Sequence, residues 1–473
     1  MSLDTLTIPP DILKPGVYAE LNAYAGSSGL PANTQKLLLI GQRLAAGTVA
    51  QAVVQQVFTE AEAATYFGAG SIAHLMVVQA LAVSRNLPLF VVALDDAAAS
   101  AAATATLTLT GTATAAGTLT MWIGSERIDV GVLSGDDPTA LATRARATIN
   151  AIPSLPVAAT GTVGAIILTA KNKGAVGNQL VLRAVVTATA VTLSATKVPF
   201  AGGATDPNLQ TALDAAFPSQ FHVIAIQSTV QADILKLKTH LDSASSALEM
   251  REGRGFAPAS PTDVLASVAT VATAINHERV SIVYARGSYS TGFELAATVA
   301  ARVAEESHPA RPFNGLTLPG IAIPDVPDRF TRSEQETLLK AGVAPIEVTG
   351  QDCAIVRLVT TRTSISGVSD LTLIDTTTIA SLDYLRYAWR SRMRLKFARA
   401  FLDDDTLRSI IEQTVDVMLL MQEAKILQKV SDYKDRVVSA RDPNYPGRAR
   451  VQVPAPVVPG LHQIFARFDL ITL

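Results

Sequence analysis

The sequence predicts an α/β protein with a doubly wound core domain, an inserted β-rich domain, a C-terminal α+β domain and extended terminal strand arms. Three observations predict it. Short apolar runs alternate with helical stretches in two separated parts of the chain, as strands and crossover helices do in an open parallel sheet. Between those parts, over residues 97–205, the composition turns abruptly to Ala, Thr, Gly and Val with period-two alternation. Both ends read as strands lying outside the closed pattern. The resulting division is an N-terminal arm over 1–22, the first half of the core over 23–96, and the insertion over 97–205. The second half of the core follows over 206–365, then the helical part of the C-terminal domain over 366–447 and a C-terminal strand arm over 448–473.

In chain order, Pro9, Pro10 and Pro15 forbid helix near the start, and Val17-Tyr18-Ala19-Glu20-Leu21 alternates apolar and polar residues as a half-buried strand does. Lys36-Leu37-Leu38-Leu39-Ile40-Gly41 is a short apolar run closed by glycine, the pattern of a buried parallel strand. A helix over 71–84 and a second buried strand over 87–94 complete the first half. The insertion carries predicted strands over 104–110, 118–123, 127–132, 165–169 and 180–184, with one helix over 138–150, and closes at Gly202-Gly203. The core resumes with a helix over 208–217, a strand over 221–227, a helix over 231–243, and strands over 280–284 and 354–361. Two helix starts carry capping boxes, Thr291 with Glu294 and Thr331 with Glu334, and the second helix is expected to end at Gly342. The last helices are expected over 379–401 and 406–430. Leu407, Ile410, Ile411, Val415, Met418 and Leu419 line one face of the latter, and Asp403, Asp404 and Asp405 sit at its positive end. Residues 448–453 and 464–470 then alternate as strands. Such terminal strands need a sheet edge, in their own subunit or in a neighbour's.

Composition narrows the function classes. Hydrophobic residues make up 48% of the 473 residues but aromatics only 5%, so Ala, Val, Leu and Ile supply the bulk of a large core or of extensive subunit contacts. A net charge of −2 attracts neither nucleic acid nor an anionic membrane globally. Cys353 is the single cysteine, which excludes an intramolecular disulfide and a cysteine metal cluster; it is expected as a small residue starting a buried strand. Residues 1–13 hold Asp4 and Asp11 and lack a basic leader, so Sec export is not expected. The long uncharged stretch 97–125 is full of Thr and Gly and reads as strand, not membrane span.

No catalytic constellation emerges. Gly68-Ala69-Gly70 and Gly253-Arg254-Gly255 are too short to cradle a phosphate, and no dinucleotide or Walker loop is present. His74, His222, His240, His277, His308 and His462 are scattered without ligand spacing. There is no Gly-x-Ser-x-Gly elbow, so a hydrolase has no nominated nucleophile, and neither a cofactor nor a metal site is expected. The strongest charged feature is a helix beginning near Leu382. Arg386, Arg390 and Arg394 share one stripe while Arg392, Lys396 and Arg399 form another, against Asp383 alone as an acid. That helix is either a solvated face paired with local acids or a surface matched to an acidic partner.

Pro15-Gly16-Val17-Tyr18-Ala19-Glu20, Met250-Arg251-Glu252-Gly253-Arg254-Gly255-Phe256, Arg441-Asp442-Pro443-Asn444, and the closing run of Val451, Val453, Leu461 and the 465–470 strand occur in an order and spacing that resembles the contractile-tail sheath proteins of bacteriophages, the Mu-like type above all. The resemblance implies a virion structural protein, not an enzyme, assembled in the host cytoplasm as six-membered rings stacked around a tail tube. It implies as partners other copies of the chain, the tail tube protein, and baseplate and tail terminator proteins, with no nucleic acid and no membrane insertion. Contraction would drive the tube through a bacterial envelope. Under this reading Arg386, Arg390, Arg392, Arg394, Lys396 and Arg399 face the tube. Val17, Tyr18, Leu21, Val451, Val453, Ile464, Phe465, Phe468 and Leu470 belong to strands exchanged between subunits, with hinges over 9–16, 26–31 and 454–460. The rival readings are a hydrolase-like α/β enzyme and another virion part such as a baseplate component.

Overall fold

The computed structural model describes residues 29–470, which form two compact units: 33–383 with 458–470, and 29–32 with 384–457. Val17, Tyr18 and Leu21 of the expected N-terminal arm lie outside the described residues.

The larger unit opens with β1 (Leu37–Gln42), β2 (Val54–Gln56), α1 (Glu60–Phe67), α2 (Ile72–Val83) and β3 (Leu89–Leu94). β1 lies parallel to β3, with Leu37 beside Leu89 and Ile40 beside Val92. Its side chains divide by period two: Leu37 and Leu39 enter one core cluster, Leu38 and Ile40 the other. Buried on both faces, Leu37, Leu38, Leu39 and Ile40 are apolar, and buried Gln42 at the strand's end is satisfied by Gln227.

The chain then enters two four-stranded antiparallel sheets made from β4 (Thr104–Thr110), β5 (Gly117–Ile123), β6 (Glu126–Val132), α3 (Pro138–Asn150), β7 (Val157–Thr160), β8 (Ala165–Ala170), β9 (Val181–Val186), β10 (Thr192–Leu193) and β11 (Lys197–Pro199). Their orders are β10-β4-β8-β7 and β11-β9-β5-β6. Alternate residues such as Leu107, Leu119, Val130 and Leu168 join Leu141 and Ile149 of α3 in one core, while the threonines of β4 alternate to the opposite face. Asp137 caps α3 and Pro138 supplies its first turn, matching the predicted helix residue for residue. The sequence missed β7, β10 and β11, whose two to four residues are too short to show a period.

The main sheet resumes with α4 (Leu209–Ala216), β12 (Val223–Ile226), α5 (Gln231–Ala244), β13 (Arg254–Pro258), α6 (Leu265–Ile275), β14 (Val280–Tyr284), α7 (Gly292–Glu305), β15 (Thr317–Leu318), α8 (Arg332–Lys340), β16 (Val343–Thr349) and β17 (Asp352–Ile355). Nine strands lie in the order β15-β17-β16-β14-β13-β12-β1-β3-β2, parallel from β16 to β3 and antiparallel at both margins. Residues of α2 and α7 pack on one face, and those of α4, α5 and α6 on the other. Both expected capping boxes form, a third joins Thr59 to Glu62, and Gly342 follows α8 with a positive φ of 81°. The strand expected over 354–361 is corrected: β17 ends at Ile355, and the chain turns so that Arg357 makes two 2.9 Å bonds to Asp375. A small hairpin, β18 (Ser364–Ile365) with β19 (Val368–Ser369), precedes α9 (Thr376–Phe397).

The smaller unit begins within α9, at Tyr384, and adds α10 (Asp404–Glu423), α11 (Val430–Tyr433), β20 (Val438–Arg441) and β21 (Ala449–Gln452). Tyr384, Leu385 and Ala388 pack with Val417, Met418 and Met421 of α10, and with Ile426, Leu427 and Val430. Asp403 accepts a 2.7 Å bond from the Thr406 N–H and caps α10, with Asp404 and Asp405 in its first turn. Leu419, expected on the apolar face, is instead exposed, and Val417 and Met421 take the buried positions. No helix among the described residues is long and apolar enough to cross a membrane.

Candidate assembly surfaces

The basic helix differs in detail from its sequence reading. α9 starts at Thr376, before the expected Leu382, and ends at Phe397, so Arg399 lies in the turn beyond it. Asp383, the acid of the predicted stripe, receives two bonds from Arg279 at 2.6 and 2.8 Å, with both side chains largely buried. Arg392 does not belong to an exposed second stripe: it is buried, with Nη1 3.3 Å from Gln413 Oε1 on α10. Arg386 and Arg390 are half-buried, and Arg394, Lys396 and Arg399 are exposed. The exposed basic surface is therefore the last turn of α9 and the residues after it, beside exposed Leu395 and Phe401.

The two parts of the expected C-terminal arm separate. β21 pairs antiparallel with β20 of its own chain, Val451 opposite Ser439 and Arg450 opposite Ala440, while Val453 packs against the core of the smaller unit. Buried Asp442 ties the hairpin's turn: it accepts from the Asn444 N–H at 2.9 Å and from Arg450 Nε at 2.8 Å. The Asn444 N–H, and then Arg450, hold its carboxyl below the usual aspartate range.

Residues 464–470 behave otherwise. They form no strand pairing among the described residues, and Ile464, Phe465, Phe468 and Leu470 are 80%, 90%, 94% and 91% exposed. Four large apolar side chains within seven residues are thus left in water, where burying them would be favourable. The segment is rooted at His462, whose Nδ1 lies 2.7 Å from Asn314 Nδ2 and whose Nε2 lies 3.3 Å from Asp375 Oδ2.

The remaining reactive side chains have structural partners. Cys353 is buried on β17, which pushes its thiol up to about 11 and leaves it protonated at neutral pH. His222 Nδ1 accepts from the Lys36 N–H at 3.1 Å, and His240 meets the Phe217 ring edge-on at 5.7 Å; burial pushes both imidazoles down to about 4. His277 Nε2 lies 2.7 Å from Asp242 Oδ1, and its Nδ1 accepts from the Arg279 N–H, so neither nitrogen addresses a nucleophile. Among the described residues no group of three or more His, Cys, Asp or Glu side chains has metal-binding geometry.

Comparison with known proteins gives these surfaces a context. The model of the phage tail sheath protein central domain matches residues 202–361. Over 469 residues the chain is 30% identical to the Mu-like prophage FluMu tail sheath protein of Haemophilus influenzae, spanning 95% of this chain and 96% of that one. Its fold is similar to the sheath tail protein of Listeria innocua, with a TM-score of 0.50 and 13% identity over 88% of this chain and 90% of that one. The sheath tail protein of Desulfitobacterium hafniense gives a TM-score of 0.49 and 15% identity over 88% and 91%. The Listeria likeness speaks for the fold alone, whereas the Haemophilus relative matches in sequence over nearly the whole of both chains. The chain belongs to the phage tail sheath protein family.

Proposed function

We propose that the chain is the repeating subunit of a contractile tail sheath. It polymerises as stacked hexameric rings around a tail tube and contracts to drive the tube through a bacterial envelope. Its role is mechanical and not enzymatic, and its partners are other copies of itself, the tail tube protein, and baseplate and tail terminator proteins. Neither nucleic acid nor a membrane interior is among them. Membership of the sheath family supports a structural protein of the virion. The observation that carries the assembly reading is the exposed apolar segment 464–470, which has the composition of a buried strand and lacks strand pairing among the described residues.

In this reading 464–470 adds to a sheet edge of a neighbouring copy. Each backbone bond of such a strand contributes about 1 kcal/mol net, and burial of each phenylalanine roughly 1.5–3 kcal/mol. A contact of this kind outlasts a rearrangement. The exposed cations at the end of α9 serve a different task. An exposed ion pair contributes roughly 0–1 kcal/mol, so Arg394, Lys396 and Arg399 can hold an acidic tube and release it. The domain with the parallel sheet and the helices after Ile379 would face the tube, and the insertion over 97–205 would face outward.

Electron microscopy of the purified chain tests the proposal. Hollow tubes of ringed appearance are the expected result; monomers or isolated small rings at all concentrations would overturn it.

A further inference from the structure

Within 461–470, His462 is the one residue that is not exposed. Its side chain is 14% accessible and meets groups from separate loops: Asn314 before β15, and Asp375 before α9. The seat precedes its occupant, because Asp375 is already fixed by two bonds from Arg357 after β17. The backbone leading to it is shaped to match. A Cβ on Gly460 would come within 2.8 Å of His462 Nε2, 3.0 Å of its Cε1 and 3.3 Å of Pro312 Cβ, so a side chain there displaces the ring.

We propose that His462 is a pin that sets the point from which the exposed segment 464–470 reaches a second copy of this chain, shortening the tether of the arm. This rests on the strand-donating role proposed above for that segment. With the pin in place, eight residues (463–470) run from the last attachment to the end of the apolar segment at Leu470. Without it the last attachment is the bridge between Val457 and Leu427, and thirteen residues (458–470) run to the same point. At roughly 3.3–3.6 Å per extended residue the maximum reach grows from about 28 to about 45 Å. The volume searched grows by about fourfold, and a random-chain estimate gives about twofold dilution of the arm at its target. His462 is thus a positioning residue: it makes no intersubunit contact itself and acts by raising the local concentration of the four apolar side chains that do.

The test uses the full-length protein with a fluorophore on Ala466→Cys. The label is selective because Cys353 is buried and protonated. In His462→Ala the probe anisotropy of the unassembled subunit should fall, and the critical concentration for tube formation should rise about two- to fivefold, while the circular dichroism melt stays that of the parent. Gly460→Ala, which crowds the ring from the backbone side, should move both readouts in the same direction by less; it decides the matter if His462→Ala does not fold. Unchanged anisotropy or an unchanged critical concentration overturns the pin. Deletion of 464–473 separates this failure from that of the strand-donating role. No tubes from the deletion with parent-like behaviour of His462→Ala removes the pin alone, and normal tubes from the deletion remove both.

Discussion

Residues 448–453 and 464–470 carry the same alternating pattern, yet one is a strand of its own subunit and the other is exposed from end to end. β21 has what the later segment lacks: a partner strand close in sequence and a polar anchor at the turn. β20 ends at Arg441 and β21 begins at Ala449, so the connecting loop is short and its closure entropy small. Asp442 then fixes that loop through the Asn444 N–H and Arg450. Between β21 and Ile464 the chain instead holds Pro454, Pro456, Pro459 and Gly460, which withhold donors and discourage a return to the hairpin. Alternation alone therefore does not decide whether a segment pairs within its own subunit; a nearby partner strand and the linker before it also count.

The largest effect that would break this comparison is on assembly. Deleting 464–473 should abolish tubes while moving the melting midpoint by about 1 °C or less, since surface substitutions away from packing features lie within about 0.5 kcal/mol. Tubes of normal appearance from the truncated chain would show that the exposed segment is dispensable. Acid should separate the two units next. The His222 and His240 imidazoles are pushed down to about 4 in the larger unit. Between pH 6.5 and 4 the unfolded chain takes up protons that the native one refuses, so stability falls as pH falls, by up to about 3 kcal/mol for each histidine. Asp442 works in the same direction but in a lower pH window. Its carboxyl is held below the usual range, so its contribution persists above pH 4 and is lost only at lower pH. Hydrogen exchange at pH 4.5 should thus show the main sheet opening more often than at pH 7, with β20 and β21 unaffected; equal loss in both would refute the assignment.

A third effect sharpens the contrast inside the C-terminal region. Val451→Pro removes a backbone donor and constrains φ within β21, and should destabilise the smaller unit by about 1–3 kcal/mol. Ala466→Pro, in the exposed segment, should leave the melt unchanged and act on tube yield alone. A matching loss of thermal stability from both would mean that 464–470 pairs within its own subunit in solution.

The same contrast explains what was legible in the sequence. β1, α3, β14 and the capping boxes were read because each signal is local: a run closed by glycine, Asp-Pro before a periodic stretch, Thr and Glu three apart. β13 was missed because Gly255 and Pro258 spoil its strand pattern. Gly255 is there for close packing, since a Cβ would lie 2.7 Å from Leu237 Cδ2 and 2.9 Å from Leu241 Cδ1 of α5. β16 was hidden by Pro345, tolerated opposite Tyr284 in the parallel pair. α6 lacks a capping side chain, but Pro261-Thr262-Asp263 before it was a usable start signal and Asn276 after it a usable stop signal. Among the candidate assembly residues, Phe465 and Phe468 are exposed. The burial of Arg392 could not be seen, because helical periodicity gives an angle on α9 but not the position of α10, whose Gln413 meets it.

Arg392 and Arg394 make the last and smallest test, because one helix presents the same residue type to two environments. Arg392 is buried against α10, and its aliphatic stem is packing as much as charge. Arg392→Ala should therefore lower the stability of the smaller unit by about 1–3 kcal/mol and reduce assembly only through misfolding. Arg394 is exposed in the last turn of α9, where a cation also suits the helix dipole. Arg394→Gln should leave the melt within about 0.5 kcal/mol of the parent and weaken association with an acidic tube by at most about 1 kcal/mol, roughly a fivefold change in affinity. That loss should shrink as salt rises, because exposed charges are screened beyond about 8 Å at physiological ionic strength. Co-sedimentation of sheath with tube protein at low and high salt reads it directly. A salt-independent loss, or one far above fivefold, would mean that Arg394 is buried in a fixed interface, and the releasable electrostatic contact would have to be sought at Lys396 and Arg399.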